Sequence, residues 1–489
     1  MSLPHRPLTA AAAAILLAAG GCNMLEGGGG GGGGNGAAAQ SPEVSSQALQ
    51  AAAREEPLRR FYEARQWQSA WNEQSAQQLV EALRGAVRHG LNPAQLTQEI
   101  DRARSPVDRE VALSRAALTY ADALARGRTD PTRLFEVYTV PRNEADVPGG
   151  LAQAVERGNV PEWIESLAPQ DEEYRALSQA YVQHMQAMQQ QGGGQQANPQ
   201  GSQQAPAGNQ AQAKADQPKE KNSQRRAQQA APAVPRDRAV VLAVNLERRR
   251  WLPRSPDATR IDVNTAASFL RYYRDNAVVD QRVVANGEQG WETPQLASPI
   301  YRLVANPDWT VPESIERDEL SKLSPAQLQR RNISRKGARM VQEPGPQNAL
   351  GLVKLDMQND HAIYLHDTPA KAAFQAADRH VSHGCVRVND AVGFARMLAE
   401  HAGKLEEFNR ALANPNRQTT FISLENRIPV RLLYHTAFLD GGQLKFNPDP
   451  YGWDATVAQA LGLPVPPASQ INQRSAEQKR QRRDSDFGP

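Results

Sequence analysis

Residues 189–236 set the first limit on what this chain can fold into. They are rich in Gln, Ala, Gly, Pro and Asn with scattered Lys and Arg. Such a composition cannot bury enough apolar surface to offset the entropy of ordering itself, so the segment reads as a disordered linker. Whatever folds must do so on either side of it, in a block spanning 46–188 and another spanning 237–465. A total of 489 residues is ample for two domains. The charged, polar residues 466–489 read as a frayed tail.

The first block has helical spacing throughout. Ser75 is placed to cap a segment in which Leu79, Val80, Leu83 and Val87 recur at helical intervals, with Gly90 just past its end. Asn92-Pro93 reads as a cap followed by a first-turn proline, and Asp108 opens a further helix carrying Val111, Leu118, Ala121 and Leu124 before Gly127. Tyr174, Leu177, Tyr181, Met185 and Met188 form a stripe at intervals of three and four, which is a core face and not a ligand site. No catalytic constellation falls in this block.

From residue 237 the period changes. Residues 239–246 read as β-rich, Ile261-Asp262-Val263-Asn264 alternates, and 280–285 continues the pattern. Residues 300–346 form an irregular, proline-punctuated insertion with short helical pieces around 318–328. Strands resume at 351–357 and 361–366, and 430–434 and 444–446 flank Asp440-Gly441-Gly442, a hairpin turn. The expected architecture is α+β, an all-helical module followed by a β-rich domain with few helices.

The N-terminus reads as an address. A short n-region with His5 and Arg6 precedes an almost wholly apolar run, residues 8–19, too short to span a bilayer. It leads to Ala19-Gly20-Gly21-Cys22, which resembles a bacterial lipobox with Ala19 where such boxes usually carry Leu. Residues 1–21 are then a signal peptide, Cys22 the acylated first mature residue, and 22–45, with its glycine run, a flexible tether. An ordinary secretory signal cut near Cys22 is the alternative, and both readings export the chain to a bacterial periplasm. Asn23 follows the cysteine, so an aspartate that would hold the lipoprotein in the inner membrane is absent, and the outer membrane is the expected destination. Lys+Arg 56 against Asp+Glu 53 give a net charge of +3, so no strong field draws the chain to nucleic acid.

Cys22 and Cys385 are the only two cysteines, which excludes a disulfide framework and multi-cysteine zinc modules. With Cys22 acylated or lost, Cys385 is a free thiol beside a glycine and histidines, a candidate nucleophile. A free thiol titrates near 8.5, so it needs a neighbouring imidazole to react near neutral pH. Two are on offer, His366 and His383. In the run Ile363-Tyr364-Leu365-His366, Tyr364 and His366 share one strand face and Ile363 and Leu365 the other. Gly384 permits a tight turn and close approach to a substrate before Cys385. Asp390 caps a helix with Ala391, Ala395, Leu398 and Ala402 buried, whose N-terminal approach would carry the thiol and nearby amides. His380, His383 and Cys385 could touch a zinc ion, but they lack a fourth ligand.

His366 followed by Ser382-His383-Gly384-Cys385-Val386-Arg387, with the cysteine 19 positions after the histidine, resembles the motif of the L,D-transpeptidases with a YkuD-type catalytic domain. The likeness extends to Asn306-Pro307-Asp308-Trp309-Thr310-Val311-Pro312, to Pro344-Gly345-Pro346-Gln347-Asn348-Ala349-Leu350-Gly351, and to Tyr364-Leu365-His366-Asp367-Thr368-Pro369. These look like the long, Gram-negative branch, which carries a helical scaffold and a substrate-capping insertion. Phe61-Tyr62 through Trp71 and Leu91-Asn92-Pro93 resemble that scaffold. Two departures stand out: many members carry a peptidoglycan-binding module where this chain has its Gln-rich linker, and many have Ser at the position of His383.

The resemblance implies acyl transfer between peptidoglycan stem tetrapeptides, donor and acceptor, with no metal or organic cofactor. Cys385 would be the nucleophile and His366 the general base and acid, with the backbone at His383, Gly384 and Cys385 as the oxyanion hole and loop. Tyr364, Arg387, Ser382 and Trp309 would contact substrate. Tyr364 could instead be a packing wall, Arg387 a brace on a backbone carbonyl, and Trp309 part of the insertion's core. The product would be a 3→3 cross-link, and carbapenems would acylate the same thiol. The same thioester could pass to water, a D-amino acid or a protein lysine, and a non-catalytic wall-binding lipoprotein is the alternative from another class.

Overall fold

The computed structural model describes residues 44–193 and 237–465. The signal peptide, Cys22, the glycine tether, most of the Gln-rich linker and the charged tail lie outside the described residues.

Residues 44–193 form helices at Ser46–Ala52, Glu56–Ala64, Glu73–Arg84, Pro93–Arg102, Pro106–Arg126, Val147–Arg157, Val160–Ser166 and Glu172–Gly193, with shorter turns between them. Their starts lie slightly upstream of the sequence expectation. Asn72, not Ser75, is the N-cap; Ser75 closes a reciprocal capping box, its N–H on Asn72 Oδ1 at 2.8 Å and its Oγ accepting the Asn72 N–H at 3.0 Å. Ser105 likewise caps the helix assigned to Asp108, whose own N–H it accepts at 3.1 Å. Leu79, Leu83, Val111, Leu118, Ala121, Leu124, Tyr174, Leu177 and Tyr181 all enter one core. The last helix runs on to Gly193, so residues 189–193 belong to it and not to the linker.

Residues 239–246, expected as strand, lie inside a helix, Asp237–Trp251. A short run of Val, Ala and Leu cannot reveal its period when every face is covered. Leu242, Ala243 and Leu246 join the core of the helical module. Val240, Val244 and Trp251 pack on another side with Phe135, Tyr138, Leu433 and the C-terminal helix Trp453–Leu461. Its polar residues are buried and paired: Glu247 accepts from the Thr129 N–H and hydroxyl at 2.7 and 2.8 Å, and Arg250 donates to the His89 carbonyl at 2.7 Å.

The strands follow as β1 Arg260–Asn264, β2 Phe269–Arg274, β3 Ala277–Gly287, β4 Leu296–Ala297, β5 Ile300–Ala305, β6 Trp309–Thr310, β7 Ile333–Lys336 and β8 Arg339–Gln342. They continue with β9 Val353–Met357, β10 Leu365–His366, β11 His380–Ser382, β12 Val386–Val388, β13 Thr420–Ile428, β14 Val430–Leu433, β15 Ala437–Asp440 and β16 Gln443–Phe446. The large sheet runs in the order β13-β5-β9-β10-β12-β3-β2-β1-β14-β4, with β11 alongside β3. Helices Ala391–His401 and Leu405–Leu412 cover its core face, where Leu365, Val386, Val388, Phe394 and Phe408 meet.

Three expectations are corrected here. Residues 300–305 are not insertion but β5, a strand interior to the sheet, because Ile300, Leu303 and Ala305 are fully buried in its core. The insertion proper holds β6, β7 and β8 as a small sheet of its own around Val311, Ile315, Leu320, Ile333 and Met340. The Gly441-Gly442 turn joins β15 to β16, while 430–433 is recruited elsewhere, pairing in parallel with β1.

Candidate active site

Register brings the motif residues together. Lys354 on β9 faces His366 on β10, which faces Arg387 on β12, which faces Ala285 on β3. Tyr364 and Cys385 stand just before β10 and β12 at matching positions, and the Tyr364 carbonyl accepts the Val386 N–H at 3.1 Å. Leu365 and Val386 between them enter the core. Alternation therefore places Tyr364, His366, Cys385 and Arg387 on the opposite face. At ordinary strand spacing and rise, the Cα atoms of His366 and Cys385 lie about 8 Å apart, a span an imidazole and a thiol can close.

The His366 ring is buried, and its Nδ1 lies 2.5 Å from the Asp367 carbonyl oxygen. A carbonyl only accepts, so Nδ1 carries the proton and Nε2 keeps its lone pair. Burial, then the charge of Arg387, push the His366 pKa down to about 3. The imidazole therefore rests neutral. Burial pushes the Cys385 thiol up, opposed by the Tyr364 N–H and hydroxyl and by the charges of Lys354 and Arg387. The resting pair is thus thiol and neutral imidazole, with the Tyr364 N–H and hydroxyl near the sulfur. The thiol itself points to the Ala362 carbonyl at 3.5 Å.

Tyr364 is pinned on several sides. Its ring meets His366 edge-on at 5.6 Å, and the Lys354 ammonium lies 4.2 Å from its centroid. Its hydroxyl lies near Cys385 and near Trp309 of the insertion, and burial raises its pKa. Trp309 packs on the insertion's own core and lies near the Tyr364 hydroxyl. Among the described residues Arg387 braces no backbone carbonyl and its buried Nε has no partner; burial lowers its pKa while the charges of Cys385, Glu288 and Glu319 raise it.

One expected substrate contact and one expected oxyanion-hole donor are placed differently. Ser382 is buried beneath the loop, its Oγ donating to the Cys385 carbonyl at 2.6 Å and accepting the Gly384 N–H at 3.2 Å. Its hydroxyl shapes the turn and does not face a substrate. The Gly384 N–H, expected in the oxyanion hole, is thereby engaged, and among the described residues no acceptor takes the Cys385 N–H. Gly384 has φ +109°, the region that favours glycine, so this turn needs that residue. The helix Ala391–His401, capped by Asp390 at 3.1 Å from the Gly393 N–H, lies on the core face, with β12 between it and the thiol. Its dipole does not serve Cys385, and Ala402, expected in its buried face, is exposed.

His383 turns toward the insertion. Its Nε2 lies 2.7 Å from Glu319 Oε1, and its ring meets Trp291 edge-on at 5.1 Å. His380 has both ring nitrogens on protein oxygens, Asp378 Oδ1 at 2.7 Å and the Thr265 carbonyl at 2.8 Å. The three candidate zinc ligands are thus spoken for separately.

Residues 258–404 match the family described as the L,D-transpeptidase catalytic domain, YkuD, and residues 56–180 match the scaffold domain. This is a YkuD-type L,D-transpeptidase catalytic domain behind a helical scaffold. A Haemophilus influenzae protein named as a candidate L,D-transpeptidase is 32% identical over 240 residues, covering 44% of this chain and 48% of its own length. The chain therefore spans about half the length of that relative. Among solved structures, an L,D-transpeptidase from Mycobacterium smegmatis aligns at 11% identity and TM-score 0.21, over 36% of this chain and 58% of its own. An Enterococcus faecium L,D-transpeptidase mutant aligns at 12% identity and TM-score 0.20, over 37% and 52%.

Around the motif, the transpeptidase domain adds residues that sequence reasoning did not single out. Lys354, Asp356 and Arg302 form a paired charge row beside Tyr364, with Lys354 Nζ 2.7 Å and Arg302 Nε 2.5 Å from Asp356. Alternation along β9 and β5 is their only signal in the sequence, and it does not distinguish an exposed ladder from a site wall. Glu319 and Trp291 meet His383 from distant segments that no local pattern connects.

Proposed function

We propose that this protein is an exported peptidoglycan L,D-transpeptidase that forms 3→3 cross-links through a Cys385 thioester. The observation that carries the reading is the strand register that sets Cys385 on one sheet face with Tyr364 and His366, whose Nε2 holds the lone pair. As sulfur attacks the carbonyl of the third stem residue, His366 Nε2 takes the thiol proton. The oxyanion forms opposite the Cys385 N–H. Collapse breaks the C–N bond, the imidazolium returns its proton to the departing D-alanine amine, and a thioester remains. The side-chain amine of a second stem attacks that thioester, gives up a proton to His366, and regenerates the thiol. Trp309 and the insertion close over the peptide, and Arg387 supplies a positive charge beside Cys385 for a stem carboxylate.

Intact-mass measurement with defined tetrapeptide muropeptides tests this. A Cys385 adduct equal to the muropeptide less D-alanine is expected, followed by a cross-linked dimer, and neither with Cys385→Ser. Absence of any adduct on active-site-titratable protein would overturn the reading.

The pKa directions fix the pH profile. His366, depressed to about 3, is already a free base across the neutral range. Acidification therefore removes the base only near pH 3, and carbapenem acylation should hold steady well below the pH of ~6.5 at which an ordinary histidine titrates. Alkylation by iodoacetamide needs thiolate, and the raised Cys385 pKa makes it climb into the alkaline range instead. An acylation limb near pH 6.5 in stopped-flow data would contradict this assignment.

Anchoring through Cys22 to the outer membrane belongs to the same proposal, on the strength of the apolar run ending on cysteine and the glycine tether after it. Cys22→Ser should release a soluble periplasmic form. Wild-type protein recovered wholly soluble, with an unmodified or missing Cys22, would sink the anchor.

A further inference from the structure

The Gly384–Cys385 peptide is held from outside the motif. The Gly384 carbonyl accepts the Thr293 hydroxyl at 2.8 Å, and Thr293 Oγ1 in turn accepts the Gly287 N–H at 2.8 Å. Thr293 is fully buried, and its own N–H lies 3.3 Å from the Tyr451 hydroxyl, which donates to the Gly287 carbonyl at 2.7 Å. Thr293 and Tyr451 thus close a polar ring around Gly287. The ring leaves no room for change, since a Cβ on Gly287 would sit 1.9 Å from the Trp291 carbonyl.

A trans peptide is planar, with its C=O and N–H pointing in opposite directions. Fixing the Gly384 carbonyl therefore fixes the Cys385 N–H, which has no acceptor among the described residues. Gly384, at φ +109°, has no side chain to stop that plane from turning. Ser382 restrains the Gly384 N–H and the Cys385 carbonyl but leaves the intervening carbonyl untouched.

We propose that Thr293 and Tyr451 are positioning residues, whose hydroxyls orient the Cys385 N–H as the oxyanion donor. The inference rests on the thioester reading above. A preset donor costs no reorganisation during reaction, and deleting one oxyanion donor outright typically slows turnover on the order of 10²–10³-fold. Loosening its orientation should cost less than deleting it.

The test compares carbapenem acylation with iodoacetamide alkylation in Thr293→Val, Thr293→Ser and Tyr451→Phe. Alkylation forms no oxyanion, so a positioning role moves only acylation. Thr293→Val should acylate roughly 10-fold or more slowly with alkylation within about twofold of wild type, and Thr293→Ser should restore the rate. Tyr451→Phe keeps the ring's packing on Tyr434 and Trp453 and should show the same split to a smaller degree. Wild-type acylation by Thr293→Val, an equal fall in both reactions, or unfolding of both Thr293→Val and Tyr451→Phe in thermal scans would overturn the inference. Wild-type protein that takes up no carbapenem would instead remove the thioester reading, and this inference with it.

Discussion

Replacing His366 by alanine is expected to slow carbapenem acylation of Cys385 on the order of 10²-fold or more, the usual range for loss of a general base, while His383→Ser costs only a few-fold. Spacing alone would favour His383, two residues from the thiol. The fold reverses that preference. His366 arrives on the neighbouring strand with Nδ1 committed to the Asp367 carbonyl, which leaves the lone pair on Nε2. His383 gives its Nε2 to Glu319 at 2.7 Å and rests its ring against Trp291. Its loss should loosen the insertion and raise KM more than it lowers kcat. Because His366 is buried, circular dichroism must show that the alanine variant still folds. If His383→Ser abolishes acylation in folded protein while His366→Ala leaves it nearly intact, the two roles must be exchanged.

What the sequence made legible follows from how local each signal is. The Ser382–Arg387 motif, the His366 strand and the Gly384 turn are short-range patterns, and each falls where the motif needs it. The helix starts lie three residues upstream of Ser75 and Asp108 because the third helical residue and the cap both favour small polar side chains. Ser382 reads as a substrate contact because a hydroxyl beside a nucleophile looks the same from sequence whether it faces in or out. Thr293, Tyr451 and Glu319 were invisible for a different reason: each acts through contacts that only the folded chain creates. The largest misreading, residues 239–246, arose where burial on all sides removes the periodicity that distinguishes helix from strand.

That misreading changes the expected fate of a shortened protein. With 239–246 read as a strand, a chain beginning near Arg236 would be expected to fold and cross-link unaided. The structure points the other way. In such a chain Leu242 and Leu246 would lose the helical module they pack into, and Trp251 would lose Phe135 and Tyr138. Burial of each large side chain contributes about 1.5–3 kcal/mol. Three such losses are comparable with the ~5–15 kcal/mol that holds an ordinary domain together. Ala437 of β15 belongs to the same core, so the exposed surface would be wide and prone to aggregate. The loss would also reach the site, because Arg248 on this helix pairs with buried Asp454, whose N–H bonds Asp449 at 2.9 Å. Asp449 accepts from Tyr434, and Tyr434 accepts at 3.1 Å the N–H of Tyr451, the same residue whose hydroxyl steadies Gly287. A chain starting at residue 237 is therefore expected to lose its near-ultraviolet circular dichroism and any measurable carbapenem acylation. Full-length protein cut at an engineered protease site within 194–236 should behave differently, its halves co-eluting and acylating at close to the uncut rate. A soluble, folded and reactive fragment from 237 onward, or halves that separate after the cut, would show that the scaffold is a passenger and not part of the catalytic domain's core.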